Sequence, residues 1–173
     1  MCRNHRTFAE GLLAASAAGA DAVLINTEFP GPQLGQVLAC HQLGCVIHDA
    51  EFTPALVQSG YGGARVTAEA GADGPCVDEL IESAHGKFGG TRRRGRIVLL
   101  TSGTTGLPKG AARSPKFRSQ SGPLATLLSR VPFRAGGTVL IAPPLFHGMG
   151  FAYLNLSLLL GSAVVVRRRM GSE

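Results

Sequence analysis

The sequence predicts an α/β fold with a mainly parallel sheet and helices on its faces. Short apolar runs typical of buried strands alternate with stretches whose apolar residues recur at helical spacing. The 24 glycines are about twice the usual share, which suits tight turns between strands and helices. Apolar residues make up 45% of the chain, so it can bury a core, and this composition argues against disorder.

The first 84 residues predict three helices and two strands. AVLI at 22–25 and CVIH at 45–48 are short apolar runs and predict buried strands. Gly19 stands where the first helix would end. The apolar helical positions are Phe8, Leu12 and Ala15 or Ser16 in the first helix, Leu34, Val37, Leu38 and His41 in the second, and Val77, Leu80, Ile81 and Ala84 in the third.

The second half begins with an exposed connection and continues the alternation. Residues 85–96 are rich in glycine and arginine, and IVLL at 97–100 predicts a buried strand after them. TVLIA at 138–142 and AVVV at 163–166 predict two more strands around the apolar helix GMGFAYLNLSLLLG. A further helical stripe consists of Leu124, Leu127, Leu128 and Val131. We therefore divide one incomplete domain, 1–173, into an α/β portion (1–84), the connection (85–96) and a final portion (97–173).

The net charge of +6 comes largely from two arginine clusters, Arg92–Arg94 with Arg96, and Arg167–Arg169. Such clusters can attract nucleic acid or anionic lipid. No aromatic residues interleave them, and the chain has no tryptophan. We interpret the arginines as solvated loops beside strands and expect no nucleic-acid partner.

The cysteines form neither a zinc pattern nor a CxxC pair. Cys40, His41, Cys45 and His48 cluster in the sequence, but their spacing matches no common zinc motif, so we predict no metal site there. Four unpatterned cysteines suit a reducing cytoplasm. The basic start MCRNHRTF leads to no clean apolar core of a signal peptide.

One alternative is a membrane span between Val139 and Val166, which contains no formal charge and precedes three arginines. Pro143, Pro144 and Asn155 interrupt this segment, and its last part is β-branched. Strand, turn, helix and strand therefore explain the segment better.

The segment TSGTTGLPKG at 101–110 has the composition of a phosphate-binding loop. It fails the G-x-x-x-x-G-K-[ST] pattern, because two residues separate Gly106 from Lys109 and a glycine follows the lysine. Its chemistry still suits an anion: glycines let backbone N–H groups approach, hydroxyls donate and lysine adds a charge. The candidate ligands are Thr101, Ser102, Gly103, Thr104, Thr105, Gly106 and Lys109.

TSGTTGLPKG resembles the phosphate-loop signature of the adenylate-forming (AMP-binding) superfamily. PPLFHGMGF at 143–151 resembles that family's Pro-aromatic-His segment, and residues 2–34 resemble the large domain of fatty-acyl-CoA synthetases. The resemblance implies part of a large N-terminal domain, ATP and Mg²⁺ as cofactors, a small carboxylate substrate and coenzyme A as cosubstrate. It implies that Thr101–Gly106 and Lys109 hold the ATP phosphates and that His147 shapes the acyl pocket; the other reading of His147 is a helix cap.

Other landmarks of the family are not found in this sequence. It contains no Y-G-x-T-E segment, no later aspartate motif and no adenylating lysine, and both ends fall where the predicted sheet is incomplete. We therefore expect no complete catalytic set, and a chain that is a fragment, a split frame or a decayed gene product and is poorly soluble alone. A non-catalytic phosphate binder is the alternative. Peripheral membrane contact and oligomeric state stay open.

Overall fold

Helices and strands alternate along most of the chain, as the sequence predicts. The computed structural model describes residues 1–70, 74–86, 88–101, 109–113 and 133–169, and for Thr101 and 109–113 it describes the backbone. The elements are α1 (Arg6–Ala17), β1 (Ala22–Leu24), α2 (Gly31–Cys40), β2 (Cys45–His48), α3 (Thr53–Gln58), β3 (Ala64–Thr67), α4 (Val77–Ser83), β4 (Ile97–Thr101), β5 (Lys109–Arg113), β6 (Thr138–Ile141), α5 (Gly148–Leu159) and β7 (Ala163–Val166).

Helix α1 follows the predicted pattern and buries Phe8 and Leu12. It ends at Ala17, and Gly19 two residues later has a φ of 68°, which is accessible to glycine at little cost, and an N–H that donates to Ser16 O at 3.0 Å. The chain then turns directly into β1. The sequence therefore predicts both the helix and the position at which it stops.

Strands β2 and β3 pair in parallel, from Cys45 opposite Ala64 to His48 opposite Thr67. Helix α2 buries the predicted face at Leu34, Val37 and Leu38 and ends before His41. Helix α3 and strand β3 are additions to the predicted elements, because both are too short to show a period. This part of the chain forms a second core cluster around Leu34 and Leu56.

Helix α4 forms where Val77, Leu80 and Ile81 predict it, but its apolar stripe is not buried. Leu80 and Ile81 are 46% and 55% exposed. The helix starts with a capping box, in which Glu79 N–H donates to Cys76 Sγ and Cys76 N–H donates to Glu79 Oε2 at 3.1 Å. Local capping therefore supports this helix more than packing does.

Strand β4 is central to a three-stranded sheet in the order β1-β4-β5. It pairs in parallel with β1, Leu24 opposite Leu99, and antiparallel with β5. The β1–β4, β2–β3 and β6–β7 pairs are parallel, so the sheet structure is mainly parallel as predicted. The antiparallel β5 is a difference from the prediction.

The apolar segment near the end of the chain forms β6, α5 and β7. The two strands pair in parallel, and α5 is 12 residues long. Among the described residues, no helix combines the length and apolar character needed to cross the bilayer. The alternative of one span within 139–166 is therefore wrong, because a strand, a turn and a short helix occupy that segment.

The larger core cluster joins elements from both ends of the chain. Its buried residues are Cys2, Phe8, Leu12, Leu24, Ala68, Leu99, Ile141, Leu145, Phe146 and Leu154. Because these side chains come from α1, β1, β4, β6 and α5, one hydrophobic cluster supports the strand before the phosphate-type loop and the segment before His147. The predicted helix at Leu124–Val131 lies outside the described residues.

Candidate functional site

The phosphate-type loop begins and ends on a β-hairpin. Thr101, the last residue of β4, is the register partner of Lys109, the first residue of β5. Opposed residues of an antiparallel pair have Cα atoms about 4.5–5.5 Å apart. The two ends of the loop are therefore adjacent, while Ser102, Gly103, Thr104, Thr105 and Gly106 lie outside the described residues. We call the Thr101–Lys109 pair the neck of the loop.

An ion pair fixes the start of β4. Asp21 accepts hydrogen bonds from the Arg96 backbone N–H at 2.9 Å and from its guanidinium at 2.6 and 3.1 Å. The Arg93 guanidinium also donates to Asp21, at 3.0 Å from Oδ1. The Arg96 guanidinium lowers the pKa of Asp21 to about 2. Two arginines of the first cluster are thus paired to a carboxylate, beyond the solvated role predicted for them.

His147 lies at the N-cap of α5, directly after the turn that follows β6. Its N–H donates to Pro144 O at 3.0 Å, and its carbonyl accepts from Phe151 N–H at 2.9 Å. The imidazole is exposed, lies 4.5 Å from the Phe146 ring between centroids, and makes no capping hydrogen bond. His147 is therefore the N-cap residue, as in the alternative interpretation, but its backbone and not its imidazole makes the capping contact.

Asn4 holds the turn that positions His147. Its side-chain amide donates to Pro143 O at 3.0 Å and accepts from the Leu145 N–H at 2.8 Å. Asn4 is 5% exposed and Leu145 is 1% exposed, so the bond to the Leu145 N–H is sheltered from water, while the bond to Pro143 O is partly sheltered. This contact between opposite ends of the chain could not be seen in the sequence.

The first turn of α5 packs closely against the same turn. A Cβ atom on Gly150 would lie 2.2 Å from Pro144 O, well inside contact distance. Glycine at this position therefore allows the helix to approach the Pro143–Pro144 backbone. The geometry around His147 depends on Asn4 and Gly150 together.

The buried carboxylate of Asp49 contacts basic residues from both ends of the chain. His5 Nε2 lies 2.6 Å from Asp49 Oδ1, while Arg3 N–H and Arg168 contact Oδ2 at 3.0 and 3.2 Å. The hydrogen bond to Asp49 raises the pKa of His5 to about 9. Burial opposes the charge of Asp49, but the hydrogen bonds from His5 and Arg3 outweigh it, so the pKa of Asp49 lies below its usual value.

Cys2, His5 and Asp49 place their ligand atoms within 4.8 Å of one another, a spacing that a metal ion could use. Both Asp49 oxygens already accept hydrogen bonds, and Arg168 adds a positive charge beside them. A cation would have to displace the proton of His5 and overcome that charge. The geometry therefore favours an ion-pair network over a metal site. None of these three residues belongs to the cysteine and histidine cluster noted in the sequence, Cys40, His41, Cys45 and His48.

The second arginine cluster completes this network. Arg168 also contacts Glu69 at 2.5 Å and Glu51 at 3.5 Å, and Arg169 pairs with Glu51. These contacts attach the segment after β7 to the β2–α3 corner. The arginines after β7 are exposed, as predicted, and Arg168 and Arg169 in addition bind acidic residues of the first half.

Charge is unevenly divided along the sequence. Every acidic residue other than Glu173 lies between Glu10 and Glu82, whereas 14 of the 17 Lys and Arg residues lie between 83 and 172. A segment that is rich in cations and free of carboxylates suits a polyphosphate. The same segment supplies no carboxylate for a Mg²⁺ ion, which prefers oxygen ligands of that kind.

The family model of the AMP-binding enzymes matches residues 1–172. A search of curated proteins found no match.

Solved structures share the fold. o-Succinylbenzoate CoA synthetase (MenE) from Bacillus subtilis, in complex with the acyl-adenylate OSB-AMP, has a TM-score of 0.76 and 23% identity and covers 99% of this chain. The N-terminal domain of FACL13 from Mycobacterium tuberculosis has a TM-score of 0.78, 22% identity and the same coverage. A red-emitting luciferase from Phrixothrix hirtus has a TM-score of 0.78 and 18% identity, also over 99% of this chain.

This chain spans less than half the length of those structures. It covers 43% of the Bacillus chain, 44% of the FACL13 domain and 36% of the luciferase. At these identities the comparison shows the fold. The described α/β arrangement therefore matches a part of the N-terminal domain of these proteins.

Proposed function

Because the chain belongs to the family of AMP-binding enzymes, we propose that it forms the ATP-phosphate and acid-binding portion of an enzyme that activates a carboxylic acid. In the first step, a carboxylate oxygen attacks the α-phosphorus of ATP and the bond to the β-phosphate oxygen breaks, giving acyl-AMP and pyrophosphate. In the second step, the thiol of coenzyme A attacks the acyl carbon, AMP leaves and the thiol proton passes to solvent. The family match over 1–172 is the observation that carries this proposal.

The phosphate-binding role falls to Thr101, Ser102, Gly103, Thr104, Thr105, Gly106 and Lys109. Hydroxyls and backbone N–H groups donate to phosphate oxygens, and the lysine ammonium offsets the charge of the leaving pyrophosphate. The neck supports this role, because register pairing brings the backbones of Thr101 and Lys109 together at the base of the loop. The carboxylate-free segment around the loop avoids repulsion of the phosphates.

The acid-binding role falls to His147. Its imidazole is exposed at the start of α5, beside the Phe146 ring, and the turn before it is held by Asn4. An imidazole at a helix N-terminus is placed where a carboxylate is favoured by the helix dipole. We propose that His147 orients the carboxylate of the acid.

A fatty acid is the substrate that we propose within this class. The support is the resemblance of residues 2–34 to fatty-acyl-CoA synthetases. The Bacillus enzyme of the same fold carries an o-succinylbenzoyl adenylate in its structure, so an aromatic acid is the competing substrate class. A cytoplasmic location, suggested by the unpatterned cysteines, belongs to the same proposal.

ATP and magnesium are present together in a structure of the Bacillus enzyme. The donor set of the loop fits the phosphates of ATP. For the metal it offers hydroxyl oxygens only, because residues 83–172 contain no carboxylate. We therefore assign no magnesium ligand within residues 83–172.

Equilibrium binding of ATP and of pyrophosphate to the 173-residue chain tests the phosphate-binding role. We expect binding at or below millimolar concentration, and the Lys109→Ala variant to weaken it by about tenfold, roughly the value of one charge-assisted contact. Arg94→Ala is the matched control, since it removes an exposed positive charge outside the loop. Absence of binding at millimolar concentration, or equal losses in both variants, would contradict the role.

ATP–pyrophosphate exchange separates catalysis from binding. We expect no exchange by this chain with either fatty or aromatic acids, because it contains no adenylating lysine motif. Binding without exchange supports a phosphate-binding portion, and exchange with one acid class would assign both catalysis and substrate. Exchange that requires an aromatic acid would refute the fatty-acid proposal and leave the phosphate-binding role intact.

A further inference from the structure

Residues 3–5 bind two different parts of the protein at once. The outer two residues bind one carboxylate: the Arg3 N–H donates to Asp49 Oδ2 at 3.0 Å, and His5 Nε2 lies 2.6 Å from Asp49 Oδ1. Asp49 is 0% exposed, so water cannot readily replace either contact at the carboxylate. Asn4, which stands between the two, is therefore held from both sides by the same side chain.

Asn4 in turn binds the backbone just before α5. Its side-chain amide donates to Pro143 O at 3.0 Å, and its Oδ1 accepts from the Leu145 N–H at 2.8 Å. His147 follows two residues later, and its N–H donates to Pro144 O at 3.0 Å within the same turn. A displacement of Asn4 would therefore reach the His147 backbone through a short, hydrogen-bonded path.

A second connection between Asp49 and this turn runs through β6 and β7. The two strands pair in parallel, with Ile141 opposite Val166, so the residues after each strand leave the sheet at the same end. Pro143 is the second residue after β6, and Arg168 is the second residue after β7. Arg168 donates to Asp49 Oδ2 at 3.2 Å. Asp49 and the turn are thus joined on both sides, and the contacts form a closed ring.

We propose that Asp49 is a positioning residue for acid binding: through residues 3–5 it sets the place of the turn and hence of His147. This inference rests on the acid-binding role proposed for His147. Loss of the Asp49 carboxylate frees both outer residues of the segment, so Asn4 loses its support while its own side chain stays intact. Because closing a ring removes conformational freedom, opening it at Asp49 lets the turn adopt further conformations.

The competing explanation is that Asp49 stabilises the whole fold without a particular effect on the turn. Loss of Asp49 would then speed hydrogen exchange at all core amides alike. Positioning instead requires a local effect, which is largest at the Leu145 N–H because its acceptor is Asn4. Leu154 in α5 is 2% exposed and provides the reference amide. The ratio of the exchange rates at Leu145 and Leu154 therefore separates local release from global destabilisation.

Hydrogen exchange of the 173-residue chain, followed by NMR, measures this ratio. In Asp49→Ala we expect the Leu145 rate, relative to the Leu154 rate, to rise at least about tenfold. In Asp49→Asn we expect a smaller rise, because the amide oxygen can still accept from the Arg3 N–H. An unchanged ratio in Asp49→Ala would overturn the proposal.

Glu69→Gln is the matched control, because it removes a carboxylate charge from the same network. Glu69 contacts Arg168 at 2.5 Å and accepts from the Ala50 N–H at 3.1 Å. Within the described part of the chain, Glu69 forms no hydrogen bond or ion pair with residues 3–5. We expect Glu69→Gln to leave the exchange ratio unchanged. A rise equal to that of Asp49→Ala would show that the charge of the network matters and would refute the positioning role.

His5→Ala decides the question if Asp49→Ala does not fold. It removes one of the two contacts and leaves the buried carboxylate with Arg3 and Arg168. The side chain of His5 makes no capping hydrogen bond to α1, so the start of the helix is unaffected. We expect the exchange rate of the Leu145 amide to rise by about threefold or more relative to the reference amide. An unchanged ratio would contradict the proposal in the same way.

Binding of octanoate, measured by calorimetry, tests the functional consequence. We expect His147→Ala to weaken binding by about tenfold and Asp49→Ala, or His5→Ala in its place, by about threefold. Because Asp49 acts through His147, the double variant should bind no more weakly than His147→Ala alone. If His147→Ala binds octanoate unchanged, the acid-binding role itself is refuted. If only His147→Ala weakens binding, or if the two losses add, the acid-binding role stands and the positioning role of Asp49 is refuted.

Discussion

The side-chain amide of Asn4 holds the backbone of Leu145, 141 residues further along the chain, through a hydrogen bond of 2.8 Å. A second hydrogen bond from the same amide reaches Pro143 O. One buried side chain near the start of the sequence therefore fixes the turn that carries His147. The acid-binding role proposed for His147 depends on this turn keeping its shape.

Substitution of Asn4 by alanine should lower the free energy of unfolding by about 1–3 kcal/mol, because it leaves the buried Leu145 N–H and the partly buried Pro143 carbonyl without this partner. Urea denaturation measures this change. The control is Asn155→Ala, which removes an exposed side chain bonded to Phe151 O four residues earlier and should cost less than about 0.5 kcal/mol. Similar losses in the two variants would argue against the Asn4 contacts.

Two glycines in the first turn of α5 should respond oppositely to alanine. Gly150→Ala forces a Cβ to within 2.2 Å of Pro144 O and should destabilise the protein by about 1–3 kcal/mol. Gly148→Ala meets no atom within 4 Å and should be neutral or slightly stabilising, since alanine favours the helix. Thermal melting of both variants checks this, and a tolerated Gly150→Ala would mean that α5 does not approach the turn so closely.

The His5–Asp49 pair should make stability depend on pH above neutrality. Because the pKa of His5 is raised to about 9 from 6.5, its contribution is fully present below about pH 6.5 and is lost as the pH rises through 9. We expect a loss of about 1–3 kcal/mol over that range. The free energy of unfolding, measured by denaturation at several pH values in this range, should depend less on pH in His5→Ala. In His85→Ala, which alters an exposed histidine, its pH dependence should stay unchanged. An equal slope of unfolding free energy against pH in both variants would contradict a stabilising His5–Asp49 pair.

Neighbouring arginines after β7 should differ in their effect. Arg168 contacts the buried Asp49 as well as Glu51 and Glu69, so Arg168→Ala should cost about 1–2 kcal/mol, less at high salt. Arg167 forms no ion pair with any described residue, and Arg167→Ala should change stability by less than about 0.5 kcal/mol. Equal effects, measured by denaturation at low and high salt, would show that total charge matters more than the Asp49 contact.

The sequence predicts the strands whose side chains are mostly apolar and the helices long enough to show a period. Strand β3, ARVT, has one buried residue, and its hydrogen bonds with β2 define it as a strand. Helix α3 has six residues, too few for a repeating face. The strand β5, KGAAR, contains no bulky apolar residue and is a strand because it pairs with β4.

The candidate site likewise has features that the sequence predicts and features that it does not. The loop 101–110 is visible in the sequence because its composition and order are local. The Asp49 network could not be predicted, because its partners His5 and Arg168 lie 44 and 119 residues away and each looks like an ordinary surface residue. Contacts of this kind depend on the packed fold, which one sequence does not reveal.

The neck between Thr101 and Lys109 has a thermodynamic consequence. Closing a loop costs chain entropy. Because β4 and β5 already pair in the folded chain, the ends of this loop are held together without a ligand. The loop proposed to bind a polyphosphate is thus closed over only the seven residues between the two partners. Substitutions within the β4–β5 hairpin that do not contact a ligand should therefore weaken its binding. If β4 separates from β5 in the free chain, binding must again supply the entropy cost of closing the loop.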